Sequence, residues 1–199
     1  MKDESLKTYH EKRDFKRTPE PYGKADDREE PIFVIQKHKA TSLHYDFRIE
    51  MDGVLKSWAV PKGPSTDPKV KRLALPTEDH PIEYAGFEGV IPEGYGAGTV
   101  IVWDTGTYVN LWAEKETDKR LTMSQAYDKG RIEIRLNGKK LKGGYALIRT
   151  GGTNDRRWLL IKERDEYADK PADPVRDEPD SALTGRSLEE IARHGGTRE

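Results

Sequence analysis

The chain has 199 residues, enough for one medium domain with a buried core and too few for a second catalytic domain beside it. Only 34% of residues are apolar and 36% are charged, so part of the chain is expected outside the core; with no cysteine, disulfides, thiol catalysis and zinc–thiolate sites are excluded. The net charge of −1 hides an asymmetry: residues 163–199 hold eleven acidic against six basic residues, a net −5 that leaves +4 for the rest, compatible with a polyanionic partner and equally with an ordinary mixed-charge surface.

In chain order, residues 1–30 are polar, carry Pro19, Pro21 and Gly23, and read as an extended N-terminal arm wrapping the domain. No run of 18 apolar residues and no signal-peptide pattern occurs, so a cytoplasmic protein without membrane contact is expected. Strands are predicted over residues 32–37, 43–50, 54–60, 99–104, 131–136, 145–149 and 158–162, each short, β-branched or aromatic, and bounded by Gly, Pro or Asp. Asp52-Gly53 and Asn137-Gly138 predict tight hairpin turns. The one internal helix spans residues 123–129, with Thr122 and Gln125 spaced to cap it and Gly130 to stop it. The fold class is therefore mainly β, a barrel or sandwich occupying residues 31–167. Residues 168–199 read as a largely disordered acidic tail with a short helix, where Ser187 and Glu190 form a capping-box spacing before Ile191.

Strand alternation separates Leu43, Tyr45, Phe47 and Ile49 from His44, Asp46, Arg48 and Glu50, so one face is packed and the other carries chemistry. A two-residue Asp52-Gly53 turn puts Ser57 opposite Arg48, Ala59 opposite Asp46 and Trp58 opposite Phe47, leaving small residues and room for a ligand beside the charged row. His44-x-Asp46 with a third imidazole, His38 or His80, suits a divalent ion such as Mn²⁺, Fe²⁺ or Zn²⁺, against surface or hydrogen-bonded histidines. Arg48 beside such ligands matches phosphate, or forms an ion pair with Asp46 or Glu50. A non-haem iron oxygenase uses a similar triad, but its oxoglutarate-dependent form anchors the cosubstrate with a base downstream, and residues 81–114 contain neither Lys nor Arg. The glycine-rich segment from His80 to Gly98 suggests a tight loop near a ligand and lacks the ending of a P-loop.

Several separated motifs resemble one family, the 3′-phosphoesterase domain of bacterial DNA ligase D and its stand-alone relatives, over roughly residues 9–167. They are Lys12-Arg-Asp-Phe15 with Glu20-Pro21, Gln36-Lys-His-Lys-Ala-Thr-Ser-Leu-His-Tyr-Asp-Phe-Arg48, Ser57-Trp-Ala-Val-Pro-Lys-Gly-Pro64, Lys71-Arg-Leu-Ala74, the His80 to Gly98 segment, Val100-Ile-Val-Trp-Asp104 and Trp158-Leu-Leu-Ile-Lys162. The resemblance implies a compact single-domain β-barrel with one or two short helices. It also implies a Mn²⁺-dependent enzyme acting on DNA or RNA/DNA primer-template 3′ ends. Such an enzyme removes a terminal ribonucleoside and then the 3′-phosphate, leaving a 3′-OH. It implies His38, His44 and Asp46 as metal ligands, with Arg48, His80 and Tyr84 around the phosphate. Arg13, Asp14, Glu20 and Gln36 match further functional positions, and Lys62, Arg72 and Glu78 match residues that favour one reaction over the other. Within that set Asp14 and Glu20 are catalytic candidates, His80 a candidate acid or protonated electrostatic stabiliser, and Arg13 and Gln36 substrate-binding candidates.

The glycine loop is one residue shorter than is usual in the family, between Gly94 and Tyr95, and no Lys-x-Asp-Gly adenylation motif occurs. A monomeric phosphoesterase, free-standing or excised from a longer ligase, is expected, with a ligase or end-joining factors as partners. Thr184 to Ala192 resembles linker sequence of multidomain relatives. The rival from another class is a non-catalytic barrel that grips 3′ ends or recruits a ligase.

Overall fold

The alternating pattern becomes nine strands in the computed structural model, which describes residues 5–23, 30–151, 157–168 and 171–194. In chain order they are β1 (Ile32–Lys39), β2 (Leu43–Met51), β3 (Val54–Val60), β4 (Lys71–Pro76), β5 (Gly89–Ile91), β6 (Gly98–Asn110), β7 (Arg131–Gly138), β8 (Lys142–Arg149) and β9 (Trp158–Lys162). Eight of them close an antiparallel barrel in the order β1-β2-β3-β4-β9-β8-β7-β6, with β6 returning to β1. The length of β6 makes closure workable: its first residues pair with both β1 and β5, and its last with β7. The register shift between Ile35 and Gln36 marks a bulge where β1 meets it.

Phe33, Ile35, Tyr45, Phe47, Trp58, Trp103, Trp158 and Leu160 fill the barrel, and burying each large side chain contributes about 2–3 kcal/mol. Residues of opposite parity form a second core outside the barrel wall, where Val34, Leu55 and Val102 meet Tyr9, Ile82 and Tyr84. Tyr9 comes from α1 (Lys7–Glu11), and Ile82 and Tyr84 from a 3₁₀ turn, Ile82–Gly86. The arm and this turn thus cover the outer face of β1–β3, so β2 is buried on both sides.

Asp52 (φ 55°) and Gly53 (φ 79°) make the expected two-residue turn, and the β2–β3 register pairs Arg48 with Ser57, Asp46 with Ala59 and Phe47 with Trp58, as the sequence predicts. Asn137-Gly138 behaves differently. Both residues lie inside β7, and the chain reverses at Lys139 and Lys140, with the Gly138 N–H donating to Leu141 O at 2.9 Å. The buried Asp104 carboxylate holds that turn by accepting from the N–H groups of Thr105, Lys140 and Leu141, each at 2.9 Å. Gly138 is required by packing, since a Cβ there would lie 2.6 Å from both Asp104 Oδ2 and Phe33 Cζ. Helix α2 (Met123–Asp128) carries the full Thr122/Gln125 capping box.

The sequence missed β4, whose Lys, Arg and Pro dilute its apolar residues, and β5, which is only three residues long. The tail also departs from expectation, because residues 171–194 pack on the barrel instead of being disordered. Helix α3 (Pro174–Asp177) sets Val175 against the core, and α4 (Leu188–His194) buries Leu188 and Ile191 on Ile101. Between them Glu88 accepts from Ser181 Oγ at 2.5 Å and Thr184 Oγ1 at 2.9 Å, while Trp103 Nε1 donates to Glu178 O at 2.7 Å. Composition counts charge but cannot see a few well-placed anchors. The expected disorder at residues 169–170 and 195–199 lies outside the described residues.

Candidate active site

The β2 row His44, Asp46, Arg48 faces outward from the barrel. The antiparallel β1 pairs His38 with His44 and Gln36 with Asp46, adding a second imidazole and an amide beside that row. His80 enters from the segment after β4, held by paired backbone bonds to Leu55 of β3. The arm supplies Arg13 and Glu20, and the 3₁₀ turn supplies Tyr84. Apart from the buried Gln36, these residues line one cavity of about 220 Å³ together with Glu78 and Tyr95.

One donor atom from each of His38, His44 and Asp46 lies within 4.8 Å of the others. His38 Nδ1 and His44 Nε2 each stand 3.6 Å from Asp46 Oδ2. Their other nitrogens face backbone carbonyls: His38 Nε2 meets Gly96 O at 2.9 Å, and His44 Nδ1 meets Ser42 O at 3.1 Å. A carbonyl only accepts, so these nitrogens carry a proton, and the two facing Asp46 would turn lone pairs to a bound ion, or donate to the carboxylate when protonated. Two imidazole lone pairs and a carboxylate converging on one point fit a divalent transition ion. Without one, the same carboxylate attracts a proton to His44 and raises its pKa.

Arg48 is buried and fully positioned: Nε donates to Gln36 Oε1 at 2.8 Å, Nη1 to Ser57 Oγ at 2.9 Å, and Nη2 lies 3.2 Å from Asp46 Oδ2. Gln36 is fixed in turn through its amide, which donates to Tyr84 O and Phe87 O. Burial alone would raise the Asp46 pKa, but Arg48 and the two histidines outweigh it and hold the carboxyl well below the usual range.

His80 sits between two cations, with Arg48 Nη1 2.9 Å from Nδ1 and Arg13 Nη2 3.2 Å from Nε2. Nδ1 also meets the Glu78 carbonyl at 2.9 Å, which can only accept, so Nδ1 carries the proton, Nε2 accepts from Arg13, and a second proton on Nε2 would set N–H against N–H. Burial, then Arg48 and Arg13, push the His80 pKa well below its ordinary value, and the ring is neutral in this state. Arg13 donates to Glu20 Oε1 at 2.8 Å and to Glu78 Oε1 at 3.1 Å, and Tyr84 OH donates to Glu20 Oε1 at 3.0 Å. Burial, reinforced by Glu20, raises the Tyr84 pKa well above 10, so its hydroxyl stays a donor.

Besides Gln36, which is buried and bonded to Arg48, three residues marked by the resemblance lie off this cavity. Asp14 is exposed and lines a neighbouring depression beneath the arm, and Lys62 is exposed beyond the end of β3. Arg72 shares the inward face of β4 with Ala74, its Nε buried without a partner, so any contribution it makes runs through the barrel wall. Conversely, sequence reasoning missed Tyr9, whose ring lies 3.9 Å from the Arg13 guanidinium carbon and 5.1 Å from the His80 ring, and Tyr95 at the cavity mouth. An aromatic in a polar arm and another in a glycine loop were the signals available.

Comparison with known proteins gives the family. A family model described as the DNA ligase D 3′-phosphoesterase domain matches residues 36–149. The multifunctional non-homologous end joining protein LigD of Pseudomonas aeruginosa is 46% identical over 197 residues, covering 96% of this chain and 22% of that protein. The multifunctional non-homologous end joining DNA repair protein LigD of Mycobacterium tuberculosis is 46% identical over 172 residues, covering 83% and 20%. The protein of the first of these names from Mycolicibacterium smegmatis is 43% identical over 178 residues, covering 85% and 22%. The chain spans about a fifth of the length of these relatives. With more than half of its residues matched by the family model, the chain belongs to the DNA ligase D 3′-phosphoesterase domain family.

Proposed function

We propose that the chain is a Mn²⁺-dependent phosphoesterase that processes nucleic-acid 3′ ends for DNA repair by end joining. It first removes a 3′-terminal ribonucleoside as a diesterase and then the 3′-phosphate as a monoesterase, leaving a 3′-OH. The observation that carries this is the shared wall at Asp46, whose Oδ2 is 3.6 Å from both imidazoles and 3.2 Å from Arg48, so a cation site adjoins a fixed guanidinium. A phosphate ester is the ligand that suits both at once.

His38, His44 and Asp46 would hold the divalent ion, which when bound would supply Lewis-acid charge and lower the pKa of an attacking water. Mn²⁺ is the proposed ion, and Fe²⁺ or Zn²⁺ suit the same donors. Arg48 neutralises developing charge on the phosphate without having to reorganise, because Gln36, Ser57 and Asp46 already hold it. In the first step water attacks phosphorus and the bond to O5′ of the terminal nucleoside breaks; in the second the bond to O3′ breaks. Each step takes one proton from water and gives one to the leaving oxygen. His80 is neutral before substrate arrives and is suited to accept the first proton, while a phosphate anion beside the two arginines offsets their repulsion of the charge it gains. Tyr84 donates to the phosphate or holds Glu20, and Arg13 orients His80.

A labelled DNA primer-template ending in one ribonucleotide tests this with and without Mn²⁺. A 3′-OH product formed only with metal is expected. A stalled 3′-phosphate removes the second step from the assignment, and binding without cleavage replaces the enzyme with a 3′-end-binding barrel. A ligase, in trans or on a longer chain, is the proposed consumer of the 3′-OH.

A further inference from the structure

We infer that Tyr95 is a stacking platform for a nucleobase beside the scissile phosphate, an inference that rests on the function proposed above and names how the same site grips its substrate. Of the two tyrosines lining the cavity, Tyr84 is buried, whereas Tyr95 is 50% exposed. Tyr95 also borders two further depressions, an open groove of about 700 Å³ that runs past Thr77 and Asp79 toward Tyr127, and a smaller hollow beneath the arm. The central cavity is too small for a phosphate with both flanking nucleosides. A strand end whose phosphate reaches Arg48 must therefore lay a neighbouring base across the mouth where Tyr95 stands.

The ring is held with half of its surface left exposed. Gly94 (φ 87°) and Gly96 (φ 80°) turn the backbone on either side of it, and Gly96 O is bonded to His38 Nε2, which ties the loop to the metal-ligand set. Tyr95 OH donates to Glu78 Oε2 at 3.3 Å, and Lys12 Nζ lies 4.1 Å from the ring centroid. An ion pair between Arg17 and Glu93 joins the arm to the same loop. A pre-positioned aromatic beside cationic groups is the arrangement that binds single-stranded ends by stacking, with little base preference because every base has a π-face.

The test uses a primer whose terminal linkage is a non-hydrolysable methylenephosphonate, with 2-aminopurine as the terminal base or as the base 5′ to it, titrated with protein in Mn²⁺. Fluorescence quenching is expected at one of the two positions for the native chain. Tyr95→Ala should abolish the quenching and raise Kd roughly tenfold, within the range stacking on one aromatic supports. Tyr95→Phe and Tyr95→Trp should retain both. Absence of quenching at both positions overturns the inference, as does undiminished quenching in Tyr95→Ala. A Tyr95→Phe protein as defective as Tyr95→Ala would assign the effect to the hydroxyl–Glu78 contact and overturn it too. Cleavage of the ordinary primer is read separately: a protein that cleaves but shows no Tyr95-dependent quenching sinks the platform alone, and one that quenches but never cleaves sinks the enzyme assignment alone.

Discussion

His80 stands 3.2 Å from Arg13 and 2.9 Å from Arg48, and burial beside these two guanidiniums disfavours charge on its ring. Its depressed pKa carries a stability consequence. The unfolded chain takes up a proton near the ordinary histidine value, roughly 6.5, whereas folded His80 does so only at lower pH. Between those values the unfolded state binds more protons, so this group's contribution is fully present above about pH 6.5 and is lost as pH falls toward the folded pKa. His44, with its raised pKa, works in the opposite direction. His80→Asn should therefore lose less stability than the native chain between pH 7 and 5, measured by denaturant midpoints; equal losses would show that His80 is not held neutral. At the neighbouring triad, Asp46→Asn removes the charged ligand and should abolish Mn²⁺ binding in calorimetry while the fold persists. Arg48→Ala should still bind Mn²⁺ but lose turnover, and loss of metal instead would make Arg48 chiefly a support for Asp46.

Elements matter through the registers they impose. Asp52-Gly53 closes a two-residue turn, and that turn places Ser57 Oγ within 2.9 Å of Arg48 and leaves Ala59 as a small wall residue of the cavity. This much was legible from alternation and one dipeptide, as was the Thr122/Gln125 box. Thr122→Ala should cost about 1 kcal/mol in chemical unfolding, the usual value of an N-cap. Asn137-Gly138 shows where such reading stops: the dipeptide signals positive φ, yet the native requirement is space for Asp104, Phe33 and Leu141 around a missing Cβ. Gly138→Ala should accordingly destabilise by about 1–3 kcal/mol through overpacking, although alanine fits the backbone angles of a strand. A neutral or stabilising result would mean that the β7–β8 turn gives way cheaply.

Over the whole molecule, residues far apart in sequence converge on the outer wall of the barrel. Arg13 and Glu20 come from the arm, His38 from β1, Asp46 and Arg48 from β2, and His80 from the segment after β4. The tail docks elsewhere, on β6, through Glu88 and the Ile101–Leu188–Ile191 cluster. Glu88 also accepts from the Val102 N–H at 2.8 Å. Glu88→Ala should leave those donors without a partner, cost about 1–3 kcal/mol, and speed hydrogen exchange across residues 181–194. The proposed metal ligands His38, His44 and Asp46 should be unaffected, since none contacts the tail through Glu88; coupled loss of Mn²⁺ affinity would show that the tail supports the site. Among the described residues no helix is long and apolar enough to cross a membrane.

The sequence by itself determined what depends on local period and spacing: seven of the strands, the β2–β3 register, the capped helices, and the crowding of His38, His44, Asp46 and Arg48 into eleven residues. Those features follow from side-chain alternation and turn chemistry, which act over a few residues. Only the tertiary structure decided that Arg13 and Glu20 close the cavity, that His80 is neutral, that Arg72 points into the barrel, that Tyr95 stands at the mouth, and that an acidic tail is docked. Each of these depends on which distant groups share a small, water-poor volume, and burial and charge act across space without regard to sequence separation.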